Sequence, residues 1–174
     1  VRDLQPARLL EIGAYKGGTL FLFSQCSAEA AEILSLDHKY FSVHHRQTLK
    51  YLSRRRQKIF SLEADSHAEA TMARIQDRLA GHRLDFLFID GDHSYAGVKQ
   101  DFEMYAPLVR PGGLVAFHDI HPDSFLRSGI PSKSYVGGVP QYWQELKTQF
   151  PHTLEFIEQP GQDGFGIGVV FLPG

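Results

Sequence analysis

The residues able to do chemistry in this chain stand at the ends of short apolar runs. Leu9-Leu10-Glu11-Ile12 leads into Gly13-Ala14-Tyr15-Lys16-Gly17-Gly18-Thr19: an acid, a glycine-rich bend and a helix start. Gly13 lets the backbone leave a strand without a Cβ clash, and Gly17 and Gly18 let a ligand approach the helix N-terminus. Asp37 closes the next apolar run, where a carboxylate is placed to accept from ribose hydroxyls; a surface turn acid before His38-Lys39 is the other reading. Asp65-Ser66 follows a third run and can cap the next helix, touch an adenine edge, or do both. Asp90 ends the most strongly patterned run, His93 stands three residues beyond it, and His118-Asp119 ends the run after that.

Spacing decides what such a bend can hold. A dinucleotide fingerprint asks for Gly-x-Gly-x-x-Gly opening the helix, whereas the glycines here stand at 13, 17 and 18 with Tyr at 15. Glu11 lies at the strand end itself, where a cationic amino group could be met. The stretch therefore reads as a loop for S-adenosylmethionine (SAM) and counts against a nicotinamide-dependent oxidoreductase.

The elements that must position these residues follow from periodicity. Residues 8–12, 33–37, 58–62, 84–90 and 114–119 read as strands of an open α/β sheet, and 152–157 with 166–172 as a closing pair joined by a Pro- and Gly-containing turn. Helices are expected over 19–26, over 44–56 with Leu49 and Leu52 on one face, and from a cap at Asp65 or Ser66 to Leu79. Further helices should carry Tyr95, Val98, Phe102 and Tyr105 to the core, and Tyr142, Trp143, Leu146 and Phe150 over 139–150. Residues 120–138 form the least regular stretch, of a length that commonly serves as a lid.

Composition narrows the partners. Lys and Arg total 18 against 20 Asp and Glu, a net charge of −2, which favours neither nucleic acid nor an anionic membrane. The basic cluster Arg54-Arg55-Arg56 with Lys58 is expected at a solvated helix end. A single cysteine, Cys26, excludes an internal disulfide and a thiolate-rich metal site. With no long apolar run, a cytoplasmic domain is expected, one able to bury about 70% of its unfolded surface. Val1 is not an initiator, and the short lead into the glycine bend suggests a longer parent chain with N-terminal helices absent here.

The run from Leu10 to Thr19 resembles the SAM loop of catechol-type O-methyltransferases. Phe88-Ile89-Asp90-Gly91-Asp92-His93-Ser94-Tyr95, with Gly97-Val98, Asp101, Pro111-Gly112-Gly113 and Phe117-His118-Asp119, resembles a narrower branch. That branch comprises the metal-dependent sugar O-methyltransferases of macrolide tailoring and the cephalosporin-hydroxylase-like proteins. The resemblance implies a Rossmann-like class I methyltransferase domain over 1–174, with seven strands in the order 3-2-1-4-5-7-6 and strand seven antiparallel. It implies Glu11, Gly13, Ala14, Gly17, Gly18 and Thr19 around the methionine part of SAM, Asp37 at the ribose, and Asp65 with Ser66 at the adenine. It also implies Asp90, His118 and Asp119 as ligands of a divalent metal, Mg²⁺ or Mn²⁺, and His93 as the general base.

These roles suit O-methylation of a small hydroxylated acceptor. An alcohol is a poor nucleophile at neutral pH, so a metal to stabilise the developing alkoxide and an imidazole to take its proton are the groups the reaction needs. His118 departs from the carboxylate usual in its place and tilts metal preference toward Mn²⁺, Fe²⁺ or Zn²⁺. Plainer readings stay open: His93 as a helix cap, His118 as a neutral histidine bonded to backbone, and Asp90 with Asp119 holding a loop together without a cation. Asp92 is assigned to turn geometry and Trp143 with Tyr142 to the core. A non-catalytic nucleoside- or partner-binding domain of the same fold is the competing function, and a homo-oligomer is compatible with either.

Overall fold

Alternation along the central strands divides the apolar side chains between two faces. Leu10, Ile12, Leu34, Leu36, Leu87 and Ile89 enter one core, and Leu9, Ile33, Phe86 and Phe88 the other. Full burial of one such side chain stabilises the fold by about 1.5–3 kcal/mol, so slipping any strand by one residue would be costly. The structure, a computed structural model, describes every residue except Phe41, Arg55 and Lys133; the expectation for Arg55 lies outside the described residues.

The strands are β1 (Arg8–Ile12), β2 (Glu32–Asp37), β3 (Lys58–Glu63), β4 (Leu84–Ile89), β5 (Val109–His118), β6 (Thr153–Phe156) and β7 (Ile167–Phe171). They form one sheet in the order β3-β2-β1-β4-β5-β7-β6. β1 to β5 are parallel, and β7 runs antiparallel to both β5 and β6. This is the strand order that the resemblance to class I methyltransferases implied. Helices α3 (Glu69–Leu79), α4 (Tyr95–Tyr105) and α6 (Val139–Gln149) cover one face, with Tyr105, Trp143 and Leu146 fully buried. Helix α1 (Gly18–Cys26) covers the other through Leu20 and Phe23.

Several boundaries differ from expectation. The helix expected over 44–56 is instead a short α2 (Val43–Thr48) followed by a 3-10 turn, Leu49–Leu52. Leu49 and Leu52 are three apart, a spacing that both helix types place on one side. Helix α3 starts at Glu69 after Ala68, so neither Asp65 nor Ser66 caps it. β5 begins at Val109, and its register with β4 shifts between Leu84 and Phe86 where Pro111-Gly112-Gly113 passes. The irregular 120–138 stretch contains the five-residue helix α5 (Ser124–Ser128), capped by Asp123. No helix among the described residues is long and apolar enough to cross a membrane.

Candidate active site

The carboxyl ends of β1 to β4 open into a cleft of about 580 Å³. It is lined by Gly13 and Tyr15 from the glycine bend, Asp37 from β2, Asp65, Ser66 and His67 after β3, and Asp90 after β4. Gly13 has φ +90°, and a Cβ there would fall 1.9 Å from the Asp90 carbonyl oxygen. Only glycine lets the bend lie this close to the β4 turn. Gly17, with φ +79°, caps α1 through its backbone alone.

Glu11 is fully buried beneath this bend. Thr19 donates its hydroxyl to Oε1, while Oε2 has no hydrogen-bond partner. Burial pushes the Glu11 carboxyl up to about 8, with Asp90 and Asp37 adding to the rise and Thr19 opposing it. A buried carboxylate oxygen without a partner suits a cationic ligand group. Asp37 accepts from the Tyr15 N–H at 2.7 Å and from the Lys39 N–H at 2.8 Å, which ties the bend to β2. Asp65 accepts from the His67 N–H at 2.9 Å, and the Ser66 carbonyl accepts from Tyr105. Ala14 is buried and Gly18 has open space on its Cβ side. The expected cofactor residues thus lie around one bend and one cleft.

Beyond Asp90, two carboxylates and two imidazoles meet. His93 Nε2 is 3.2 Å from Asp90 Oδ1, and its Nδ1 is 2.6 Å from the Tyr135 carbonyl and 3.4 Å from Asp119 Oδ2. His118 Nδ1 is 3.3 Å from both Asp90 Oδ1 and Asp119 Oδ1. Burial works against a charge on His118, but its contacts with Asp119 and Asp90 win and lift its pKa to about 10. Contact with Asp90 likewise raises His93 above the usual imidazole range. Burial alone would raise Asp90, yet the two imidazoles hold it below the usual carboxylate range. Ser94, not His93, caps α4 by accepting from the Gly97 N–H at 3.0 Å, and Asp92 accepts from the Ser94 N–H in a turn.

Donor atoms of Asp90, His93 and Asp119 all lie within 4.8 Å of one another, the one such group among the described residues. Asp119 Oδ1 is buried without a hydrogen-bond partner. An oxygen-rich set with one imidazole suits Mg²⁺ or Mn²⁺. His118, the expected third ligand, stands beside this group as an ion-pair partner. Asp119 also has φ +61°, outside the ordinary range for a non-glycine residue.

Sequence reasoning gave no role to three rings or to the buried Asp101, which it had named only as part of the resemblance. Tyr135 stacks on His93 at 6.1 Å with 6° between planes, and Phe165 meets His118 edge-on at 6.3 Å. Both rings are exposed, and Phe165 has φ +60° between two glycines that also have positive φ. His67 pairs with the fully buried Asp101. Gly164-Phe165-Gly166 was the one legible sign; nothing local marks Tyr135 or His67.

The sequence profile described as a methyltransferase domain matches residues 10–120. The chain belongs to this methyltransferase-domain family. The methyltransferase domain is 30% identical, over 96% of its own length, to uncharacterized protein y4gI of Sinorhizobium fredii, and spans 17% of that relative. It also spans 50% of an uncharacterized protein of Acanthamoeba polyphaga mimivirus, so it covers half or less of these curated relatives. Among solved structures, it shares the fold of the O-methyltransferase TomG of Streptomyces achromogenes, solved with SAM: TM-score 0.67, 15% identity, 99% of this chain and 76% of that one. It also shares the fold of the mycinamycin-pathway methyltransferase MycE, solved with Mg, S-adenosylhomocysteine and mycinamycin VI: TM-score 0.65, 22% identity, 99% of this chain and 47% of that one.

Proposed function

We propose that the domain transfers the methyl group of SAM to a hydroxyl of a small acceptor at the carboxyl edge of the sheet. The observation that carries this is the continuity of one cleft from the glycine bend, past Asp37 and Asp65-Ser66, to Asp90 and so to the cluster with Asp119. Glu11 and the 13–19 bend hold the amino-acid end, Asp37 the ribose, and Asp65 with Ser66 the adenine. SAM supplies an electrophilic methyl on a sulfonium that leaves as a neutral thioether.

The acceptor enters between Tyr135 and Phe165, whose exposed rings flank the cluster. Its oxygen gains the methyl and gives its proton to His93 Nε2. Nδ1 faces the Tyr135 carbonyl, which only accepts, and so keeps its hydrogen, while the Asp90 carboxylate 3.2 Å from Nε2 stabilises the proton once it has arrived there. Holding the two partners in line supplies most of the rate. Asp90 and Asp119 would hold a divalent ion that stabilises the acceptor's developing oxyanion, which leaves His93 to take the proton. A second reading is favoured by His118: its Nδ1 stands 3.3 Å from each carboxylate, so an imidazolium can balance them without a metal.

Methyl transfer from isotopically labelled SAM to a panel of phenols and polyols tests the reaction, and chelation followed by Mg²⁺ or Mn²⁺ separates the two readings. Activity that survives chelation unchanged favours His118; activity restored only by metal favours the ion. Asp90→Ala should abolish transfer while keeping donor affinity, and Asp37→Ala should weaken donor binding. Equal loss of donor affinity in both would overturn this division of labour, and tight donor binding with transfer to no acceptor would favour a binding domain instead.

A further inference from the structure

The Asp65-Ser66-His67 corner precedes α3 without belonging to it, and α4 holds it from below at three successive turns. The Gly97 carbonyl lies 3.2 Å from His67 Nε2, Asp101 Oδ1 lies 3.2 Å from the same nitrogen, and the Tyr105 hydroxyl donates to the Ser66 carbonyl at 2.7 Å. Residues 97, 101 and 105 are four apart, hence on one helix face. Asp101 is 0% exposed, whereas the His67 side chain is 21% exposed and lines the cleft. A Cβ on Gly97 would fall 2.3 Å from Asp92 Cγ, so glycine is needed for α4 to start this close.

A carbonyl oxygen only accepts, so His67 Nε2 carries a hydrogen directed at Gly97, and the buried Asp101 carboxylate, without a hydrogen-bond partner of its own, stands 3.2 Å from the same nitrogen. That hydrogen on Nε2 puts the ring's lone pair on Nδ1, the nitrogen left to offer the cleft. We propose that His67 reads the adenine edge of the donor, accepting from its exocyclic amino group, and that Asp101 is a positioning residue that sets the tautomer and orientation of His67. This rests on the SAM reading above and adds to it a base selectivity. Adenine presents an amino donor where hypoxanthine presents a carbonyl oxygen, and a lone pair on Nδ1 attracts the first and repels the second.

Calorimetry with S-adenosylhomocysteine and S-inosylhomocysteine tests this. The wild-type domain should prefer the adenosyl compound by about tenfold or more, the scale of one hydrogen bond gained or opposed. His67→Ala should lose most of that preference. Asp101→Asn should shrink it, and the double variant should be no worse than His67→Ala alone, since Asp101 acts through His67. A lower melting temperature for Asp101→Asn with an unchanged adenosyl-to-inosyl ratio would reduce Asp101 to a structural group and overturn its assigned role. His67→Ala, at a partly exposed site, carries the test if Asp101→Asn does not fold. A full preference retained in His67→Ala overturns the inference and leaves the SAM reading standing; a wild-type domain that binds neither compound overturns both.

Discussion

Glu11 carries a pH signature because folding removes its carboxylate from water. Its folded pKa of about 8 lies above the ordinary 4.5, so between those values the unfolded chain gives up a proton that the folded chain keeps. The unfolded state then binds fewer protons, and this group's contribution makes stability fall as pH rises through that window. Glu11→Gln keeps the shape without the charge and should flatten the dependence of melting temperature on pH from 5 to 8; an unchanged slope would contradict the assignment. If Glu11 pairs with the donor's ammonium, binding at pH 7 must also release a proton. The calorimetric heat should therefore vary with the ionisation enthalpy of the buffer, and Glu11→Gln should remove that variation. Gly13 offers a second test at this scale. Gly13→Ala drives a methyl into the Asp90 carbonyl at a backbone angle alanine disfavours, with an expected cost of roughly 3 kcal/mol or more by denaturant unfolding.

At the scale of elements, the sequence was most legible where one period dominated. The apolar run of β4 named a strand buried on both faces, and the stripe Tyr95, Val98, Phe102, Tyr105 in α4 named both the helix and its buried side. Asp90 and Asp119 were legible for the same reason, as polar residues ending apolar runs. Legibility failed where tertiary contacts chose between locally equal conformers. Leu49 and Leu52 face the bare Cα of Gly17, with Leu49 Cδ2 only 2.7 Å from where a Cβ would stand; that packing, not propensity, accompanies the 3-10 turn. The Asp65-Ser66 corner does not cap α3 and instead packs on α4, where the Tyr105 hydroxyl donates to the Ser66 carbonyl. The 120–138 segment is likewise held from far along the chain. Asp163 accepts from the Ser124 N–H at 2.5 Å and from the Ser132 hydroxyl at 2.9 Å, and Arg127 donates to the Gln162 carbonyl at 2.7 Å. Asp163→Ala should speed hydrogen exchange across 124–128 and raise the acceptor KM, while donor affinity and exchange in the central strands stay unchanged. Equal loosening of β1 and β4 would show instead that this tether supports the whole fold.

For the molecule as a whole, the cleft draws its walls from four parallel strands and from the loops that follow them, so it exists only when the sheet is assembled. A ligand that binds there binds the folded state alone, and stability must rise with its concentration. At a hundredfold excess over Kd the gain is about 2.7 kcal/mol. For a domain of this size that corresponds to a melting shift of roughly 5–10 °C. SAM and S-adenosylhomocysteine should both produce it, because the glycine bend, Glu11 and the adenine corner meet parts the two share. NADH at the same concentration should not, since the bend lacks the glycine spacing that cradles a pyrophosphate and the Tyr15 side chain stands in its middle. The shift should shrink in Asp37→Ala and persist in Asp90→Ala, which keeps every group assigned to the donor. A shift with NADH and none with SAM would move the whole cleft to dinucleotide chemistry, and the roles given to Glu11, Asp37 and His67 would fall together.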